Sequence, residues 1–390
     1  MFLPDVRQVH DPIPACPEEA VKYHIPEKKG SFDIFEMSTK ITGMRPSSIL
    51  LFFTFLAAAG AGGCGFALEE CTAGDAQPGR HLTCPTPGHV DRAFDLHVPG
   101  GWDGVSPLPV IFVFHGGGGN RKAAARVTCP GGDLDDPACL VPVATAAGFA
   151  VVLPDGTGSR PMRNIRTWNA GGGHDGWNCT SGPACRSGVD DLKYLDDLLA
   201  TVRRILPVDE ARIHATGISN GGAISHRWAC ERSQTVASIA PVGGANQFEA
   251  TGGSCDGPVA VLQIHGTADP CWTYETSENS CLGGENDGLK VGVAETIEAW
   301  RQRNGCDAET TNTPFPDVDL HDGSTATLFD YTGCATDVSL LRIDGGGHTW
   351  PGGYAYLGTE RIGRVNRDFD GNGFIVEFFR AHPKTTENQR

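Results

Sequence analysis

From Val110 onwards, short and nearly continuous apolar runs alternate with segments whose apolar residues recur at helical spacing. Val110–Phe114, Phe149–Leu153, Arg212–Thr216, Val259–Ile264 and Ser339–Ile343 read as strands buried on both faces. Leu192, Leu195, Leu198, Leu199, Val202 and Ile205 fall on one face of a helix over Leu192–Leu206. Gly292–Arg303 and Phe374–Ala381 also read as helices. Buried strands separated by helices predict an α/β fold, with a mainly parallel central sheet and helices on both faces. Active sites in such sheets lie at the carboxyl ends of the strands. The residues just after each apolar run are therefore the ones to inspect.

One apolar run does not fit this pattern. Ile49–Ala59 is short for a membrane span. Lys40 and Arg45 precede it and small residues follow, as in a secretory signal. The chain then divides into 1–47, a leader or a start placed too early, with Met37 and Met44 as alternatives; 48–67, the signal peptide; 68–385, one catalytic domain; and 386–390, a polar tail. Cleavage before Cys64 would leave that thiol for a lipid anchor, whereas cleavage after Ala67 would remove it. Either outcome places the mature protein outside the cell. No repeat or second domain shows after residue 68.

Cysteine usage agrees with export. Of the 14 cysteines, Cys16 and Cys64 lie in the leader and the rest lie beyond it. None has the C-x-x-C spacing of zinc or thioredoxin-like sites. Spacing alone leaves roughly ten thousand pairings open. Sequential pairing is the simplest: Cys71–Cys84, Cys129–Cys139, Cys179–Cys185, Cys230–Cys255, Cys271–Cys281 and Cys306–Cys334. The formal net charge of -16 argues against a nucleic-acid partner, which would need a basic face.

Three strand ends carry complementary chemistry. The Arg212–Thr216 strand leads into Gly217-Ile218-Ser219-Asn220-Gly221, followed by helical sequence. In that setting G-x-S-x-G is a nucleophile elbow, with Ser219 on a sharp turn and glycines where Cβ atoms would clash. Upstream, Val110–Phe114 ends in His115-Gly116-Gly117-Gly118-Gly119-Asn120. Backbone amides near Gly116, Gly117 and Asn220 are the expected oxyanion donors. No G-K-[ST] follows, so this is not a phosphate loop. Asp269 stands just past Val259–Ile264, and His348 sits in a glycine-rich loop past Ser339–Ile343. The order Ser219, Asp269, His348 is that of α/β-hydrolases. His115 and His265 read as structural.

The blocks PLPVIFVFHGGGGN, TWNAG, GVDDLKYL, GISNGGAISHRWACE, HGTADP and GGGHTWPGG together resemble the polyhydroxybutyrate depolymerase-like and feruloyl esterase family of α/β-hydrolases, over roughly residues 85 to 382. The resemblance implies carboxylic-ester hydrolysis by a serine triad and an acyl-enzyme, with no metal and no organic cofactor. The chain departs from the family pattern at GGHDGWNCTSGPAC and CWTYETSENSC, two loops expected beside the pocket. Phenolic, acetyl and hydroxyalkanoate esters all remain open as substrates, and small aryl or short-chain esters are favoured for a monomeric enzyme. The rivals are a serine peptidase on the same fold and a catalytically inactive secreted binding protein.

Other features have plainer readings. Trp168, Trp177, Trp272 and Trp350 either line an aromatic pocket or pack. Asp190 and Asp191 cap a helix or hold a loop. Asp368 to Gly373 begins like a calcium loop, but Phe379 stands where the last ligand would be. Asn178-Cys179-Thr180 matches a glycosylation acceptor.

Overall fold

The computed structural model describes residues 68–158, 165–173, 177, 179, 183–278 and 288–384. The expectations for the leader and signal, for 386–390, for Asn178 and for Cys281 lie outside these residues.

In chain order the strands are β1 (His81–Pro85), β2 (Ala93–His97), β3 (Leu108–Phe114), β4 (Ala150–Pro154), β5 (Thr157–Gly158), β6 (Arg166–Thr167), β7 (Val208–Ile218), β8 (Ser238–Val242), β9 (Ala260–Gly266), β10 (Ser277–Glu278), β11 (Leu289–Lys290), β12 (Thr310–Pro314), β13 (Thr325–Tyr331) and β14 (Val338–Asp344). The helices are α1 (Arg121–Val127), α2 (Leu140–Ala146), α3 (Pro183–Arg186), α4 (Asp191–Ile205), α5 (Asn220–Glu231), α6 (Gln247–Ala250), α7 (Val293–Arg303), α8 (Thr359–Ile362) and α9 (Gly371–Ala381). Ten strands form one sheet in the order β1-β2-β4-β3-β7-β8-β9-β14-β13-β12.

The centre of this sheet, from β4 through β3, β7, β8 and β9 to β14, is parallel. Both flanks are antiparallel. Apolar runs marked the parallel strands because helices cover both of their faces. The flanking β1 and β13 are part exposed, and β12 is mostly exposed, so their sequences carry no such run. Along β3 the side chains alternate between two cores. Val110, Phe112 and Phe114 join Leu195, Trp228 and Trp300 from α4, α5 and α7. Ile111 and Val113 join Val127, Leu140 and Phe379 from α1, α2 and α9. Asp190 caps α4, its Oδ1 accepting the Lys193 amide at 2.9 Å.

Five of the expected disulfides are formed: Cys71–Cys84, Cys129–Cys139, Cys179–Cys185, Cys230–Cys255 and Cys306–Cys334. Cys271 is also disulfide-bonded. Among the described residues no helix is long and apolar enough to cross a membrane.

Candidate active site

Ser219 is the single residue between β7 and α5, and its backbone is held at φ 59°, ψ -122°. A positive φ in a residue with a Cβ is strained and persists only where its surroundings enforce it. Its amide donates to Val242 O at 2.8 Å, tying the turn to the end of β8. The flanking glycines are required by space. A Cβ on Gly217 would lie 2.5 Å from Phe114 O, and one on Gly221 would collide with the same carbonyl. A Cβ on Gly244 would strike the Ser219 carbonyl.

The Gly116–Gly119 loop lies directly alongside. A Cβ on Gly116 would sit 3.5 Å from that of Ser219. The amides of Gly118 and Gly119 are used within the fold, donating to Arg166 O at 2.8 Å and Gly116 O at 3.0 Å. His115 shapes this loop. Its Nε2 accepts the Gly156 amide at 2.9 Å, so Nδ1 carries the proton and donates to Gly116 O at 2.8 Å. Burial pushes its pKa down to about 4, leaving it neutral at physiological pH. Asn220 is fully buried. Its side chain clamps the Trp168 backbone, accepting from the amide at 2.7 Å and donating to the carbonyl at 3.0 Å.

Asp269 and His348 follow β9 and β14, which are adjacent and parallel. His348 Nδ1 donates to Asp269 Oδ2 at 2.7 Å, with both residues buried. The other carboxylate oxygen accepts the amides of Cys271 and Trp272, each at 2.8 Å. His348 is held by its own amide on Ile362 O at 2.6 Å and by Tyr356 Oη donating to its carbonyl at 3.0 Å. Gly243, at the end of β8, takes φ 56°. A Cβ there would lie 3.3 Å from His348 Nδ1 and 3.4 Å from Asp269 Oδ2. Four neighbouring strands, β7, β8, β9 and β14, thus bring Ser219, Gly243, Asp269 and His348 to the carboxyl end of the sheet. A hydroxyl, an imidazole oriented by a carboxylate and a glycine-lined amide loop can together perform nucleophilic acyl transfer.

A cleft of about 380 Å³ opens at Ser219 between the glycine loop and α1. Tyr354, Tyr356, Arg126 and Val127 form its walls. A larger cavity of about 740 Å³ lies at the amino ends of β8, β9 and β14, lined by Pro258, Asp337 and His382, and is remote from this chemistry. The tryptophan expectation needs correcting. Trp272 and Trp350 are core residues, with indole N–H groups donating at 2.8 Å to Val291 O and Asn372 Oδ1. Trp177 packs part-buried against the core. Among the described residues, the cleft's aromatic walls are Tyr354 and Tyr356, eight residues or fewer past His348 in GGHTWPGGYAY. Their closeness to His348 in sequence was the available signal.

The calcium-like segment is also structural. Asp368 accepts the amides of Val318 and Asp319 at 2.9 and 3.1 Å, and Asp370 caps α9. Cys230, Cys255 and Glu249 cluster, but the two cysteines are bonded to each other and Glu249 pairs with Arg303.

No family model matches the chain. It is 26% identical over 300 residues to a Nocardia uniformis subsp. tsuyamanensis protein named as an esterase, NocK, covering 74% of this chain and 78% of that one. It is 28% identical over 255 residues to feruloyl esterase C of Emericella nidulans, covering 65% and 76%. The crystal structure of native pOPH superposes with a TM-score of 0.48 at 17% identity, covering 82% of this chain and 92% of that one.

Proposed function

We propose that this chain is a carboxylic-ester hydrolase of the polyhydroxybutyrate depolymerase-like and feruloyl esterase group of α/β-hydrolases, and that it cleaves small aryl and short-chain esters outside the cell through an acyl-enzyme on Ser219. The observation that carries this reading is the buried 2.7 Å bond between His348 and Asp269, past the ends of β9 and β14, together with the strained Ser219 turn past the end of β7.

Because Nδ1 of His348 donates to Asp269, its Nε2 is the nitrogen available to take a proton. In the proposed reaction Ser219 Oγ bonds to the ester carbonyl carbon as His348 accepts the hydroxyl proton. Asp269 remains ionised and stabilises the imidazolium. Backbone amides at Gly116, Gly117 and Asn220 receive the oxyanion. Collapse of the tetrahedral species breaks the ester C–O bond, and the alcohol leaves with the proton from His348. Water, deprotonated by His348, then attacks the acyl carbon and frees Ser219 and the acid.

The cleft walls favour an apolar or aromatic acyl group of modest size, since Val127 and two tyrosines face it. The paired cysteines support an oxidising destination. A fluorophosphonate probe tests the reading. One equivalent should attach at Ser219, and Ser219→Ala should neither label nor turn over nitrophenyl esters. Wild-type turnover by the alanine variant would end the assignment. A matched panel of methyl ferulate, nitrophenyl acetate and butyrate, and solid polyhydroxybutyrate tests the substrate class. Faster release from the polymer would overturn the small-ester preference.

A further inference from the structure

A row of fully buried side chains runs from α7 through α5 and β9 to the Asp269 turn. Trp300 Nε1 lies 3.0 Å from His226 Nδ1, and His226 Nε2 lies 2.9 Å from Gln263 Oε1. Gln263 Nε2 lies 3.3 Å from His265 Nδ1. His265 Nε2 lies 2.7 Å from Trp272 O and 3.5 Å from Asp269 Oδ2.

The direction of every bond in this row follows from its ends. An indole N–H only donates, so His226 Nδ1 accepts and its Nε2 carries the proton. That proton goes to Gln263 Oε1. The Gln263 amide is fixed a second time, because its Nε2 donates to the Gly244 carbonyl at 3.0 Å. Gln263 Nε2 therefore donates to His265 Nδ1, which leaves the single proton of a neutral His265 on Nε2. The opposite tautomer would aim a lone pair at both the Trp272 carbonyl and the Asp269 carboxylate.

We propose that His265 is a positioning residue for Asp269, with its Nε2 proton held towards the 269–272 turn by the one-way row that begins at Trp300. The proposal rests on the triad reading above. His265 Nε2–H grips the Trp272 carbonyl, while the Trp272 amide donates to Asp269 Oδ1. The turn carrying the carboxylate is thereby fixed from both sides. The same N–H faces Asp269 Oδ2, the oxygen that accepts from His348. A neutral donor orients that oxygen without competing for its charge. Burial lowers the pKa of both His265 and His226, that of His226 to about 4, which keeps the row neutral. Among the described residues, the other titratable groups around His265 are Asp269, His348 and His226, the Tyr274 ring edge-on at 6.1 Å, and Lys290, which donates to Cys271 O in the same turn at 3.2 Å.

Nitrogen-15 NMR of the whole protein reads the tautomer directly. His265 should remain the Nε2–H form from about pH 5 to 8, the range in which histidine ordinarily titrates. An Nδ1–H or doubly protonated His265 would overturn the proposal. His265→Leu should lower kcat on the order of 10- to 100-fold, as a displaced catalytic group does, with KM nearly unchanged. Its loss removes the donor that faces Asp269 Oδ2, so that oxygen holds the imidazolium of His348 more strongly and the acid limb of kcat/KM should move to higher pH. His265→Gln, whose amide N–H can reach the same carbonyl, should restore much of both. A purely structural role would lower Tm and leave the acid limb in place. If His265→Leu does not fold, Gln263→Leu decides: a shifted acid limb supports the proposal, and an unshifted one sinks it. Failure of wild-type Ser219 to label would instead remove the triad reading itself.

Discussion

Asp269 and His348 are 79 residues apart in the chain and share a 2.7 Å hydrogen bond. The two oxygens of Asp269 do different work: Oδ2 accepts a hydrogen bond from the imidazole Nδ1–H, and Oδ1 accepts two backbone amides at 2.8 Å. This division fixes which oxygen of the carboxylate His348 meets and hence that Nδ1 is the ring nitrogen turned to Asp269.

Asp269→Asn should fold, because an amide oxygen can still accept at the Oδ1 position. It would present either a donor or a weaker acceptor to His348 Nδ1, so the ring loses its preferred tautomer. We expect kcat for nitrophenyl butyrate to fall by roughly 10³–10⁴-fold with little change in Tm. A loss below tenfold, measured by steady-state kinetics, would remove Asp269 from the triad.

Tyr354 should matter more to KM than to kcat. It walls the cleft, carries the Arg126 guanidinium at 4.7 Å over its ring, and touches neither Asp269 nor His348 through any hydrogen bond among the described residues. Tyr354→Ala should raise KM for nitrophenyl butyrate or methyl ferulate about 2- to 12-fold, the worth of one aromatic contact, and leave nitrophenyl acetate nearly unchanged. Equal losses on all three esters would place Tyr354 outside the acyl site.

Gly244→Ala should damage the elbow without touching a catalytic side chain. Its Cβ would strike the Ser219 carbonyl and lie 2.9 Å from the Ala223 amide. Both are backbone atoms at the start of α5, so neither can swing aside. Overpacking of this kind costs about 1–3 kcal/mol, readable by urea denaturation, and labelling of Ser219 should slow. Wild-type stability together with wild-type labelling would contradict the crowding described here.

Stability should fall with acid below neutrality. Burial is the first cause lowering His97, His115 and His226 to about 4 and His214 to about 3, from the ordinary 6.5. Between those values and 6.5 the unfolded chain binds protons that the folded chain does not, so stability rises with pH across that window. Each group contributes at most about 1.4 kcal/mol per pH unit. His214 stacks on Phe379 and lies far from the cleft chemistry, with Ser238 Oγ on its Nδ1. His214→Leu should flatten the slope of unfolding free energy against pH by about one proton's worth. An unchanged slope would mean that His214 titrates normally.

The paired cysteines make a chemical prediction. After denaturation without reductant, Cys71, Cys84, Cys129, Cys139, Cys230, Cys255, Cys306 and Cys334 should resist alkylation, as judged by peptide mass mapping. Modification of these positions would argue against the oxidising destination. Removing Cys230–Cys255 by double alanine substitution should cost about 2–4 kcal/mol.

The sequence by itself determined the parallel half of the fold and the chemical candidates. Strands covered by helices on both faces must be apolar throughout, so β3, β4, β7, β9 and β14 announced themselves. The elbow glycines were legible because only residues without a Cβ fit against Phe114 O. Sequential order also gave five disulfides, since each closes a short loop. The tertiary structure alone decided the rest. The flanking strands β1, β12 and β13 are part exposed and lack an apolar signature, and only pairing defines them. Trp272 and Trp350 could equally have lined a pocket or packed, because a tryptophan's burial depends on what its neighbours leave open; the structure places both in the core and Tyr354 and Tyr356 at the cleft. His265 was readable only as a residue beside Asp269. That its proton points towards that turn depends on Gln263, His226 and Trp300, the last on another helix, and no local pattern in the chain encodes a tautomer.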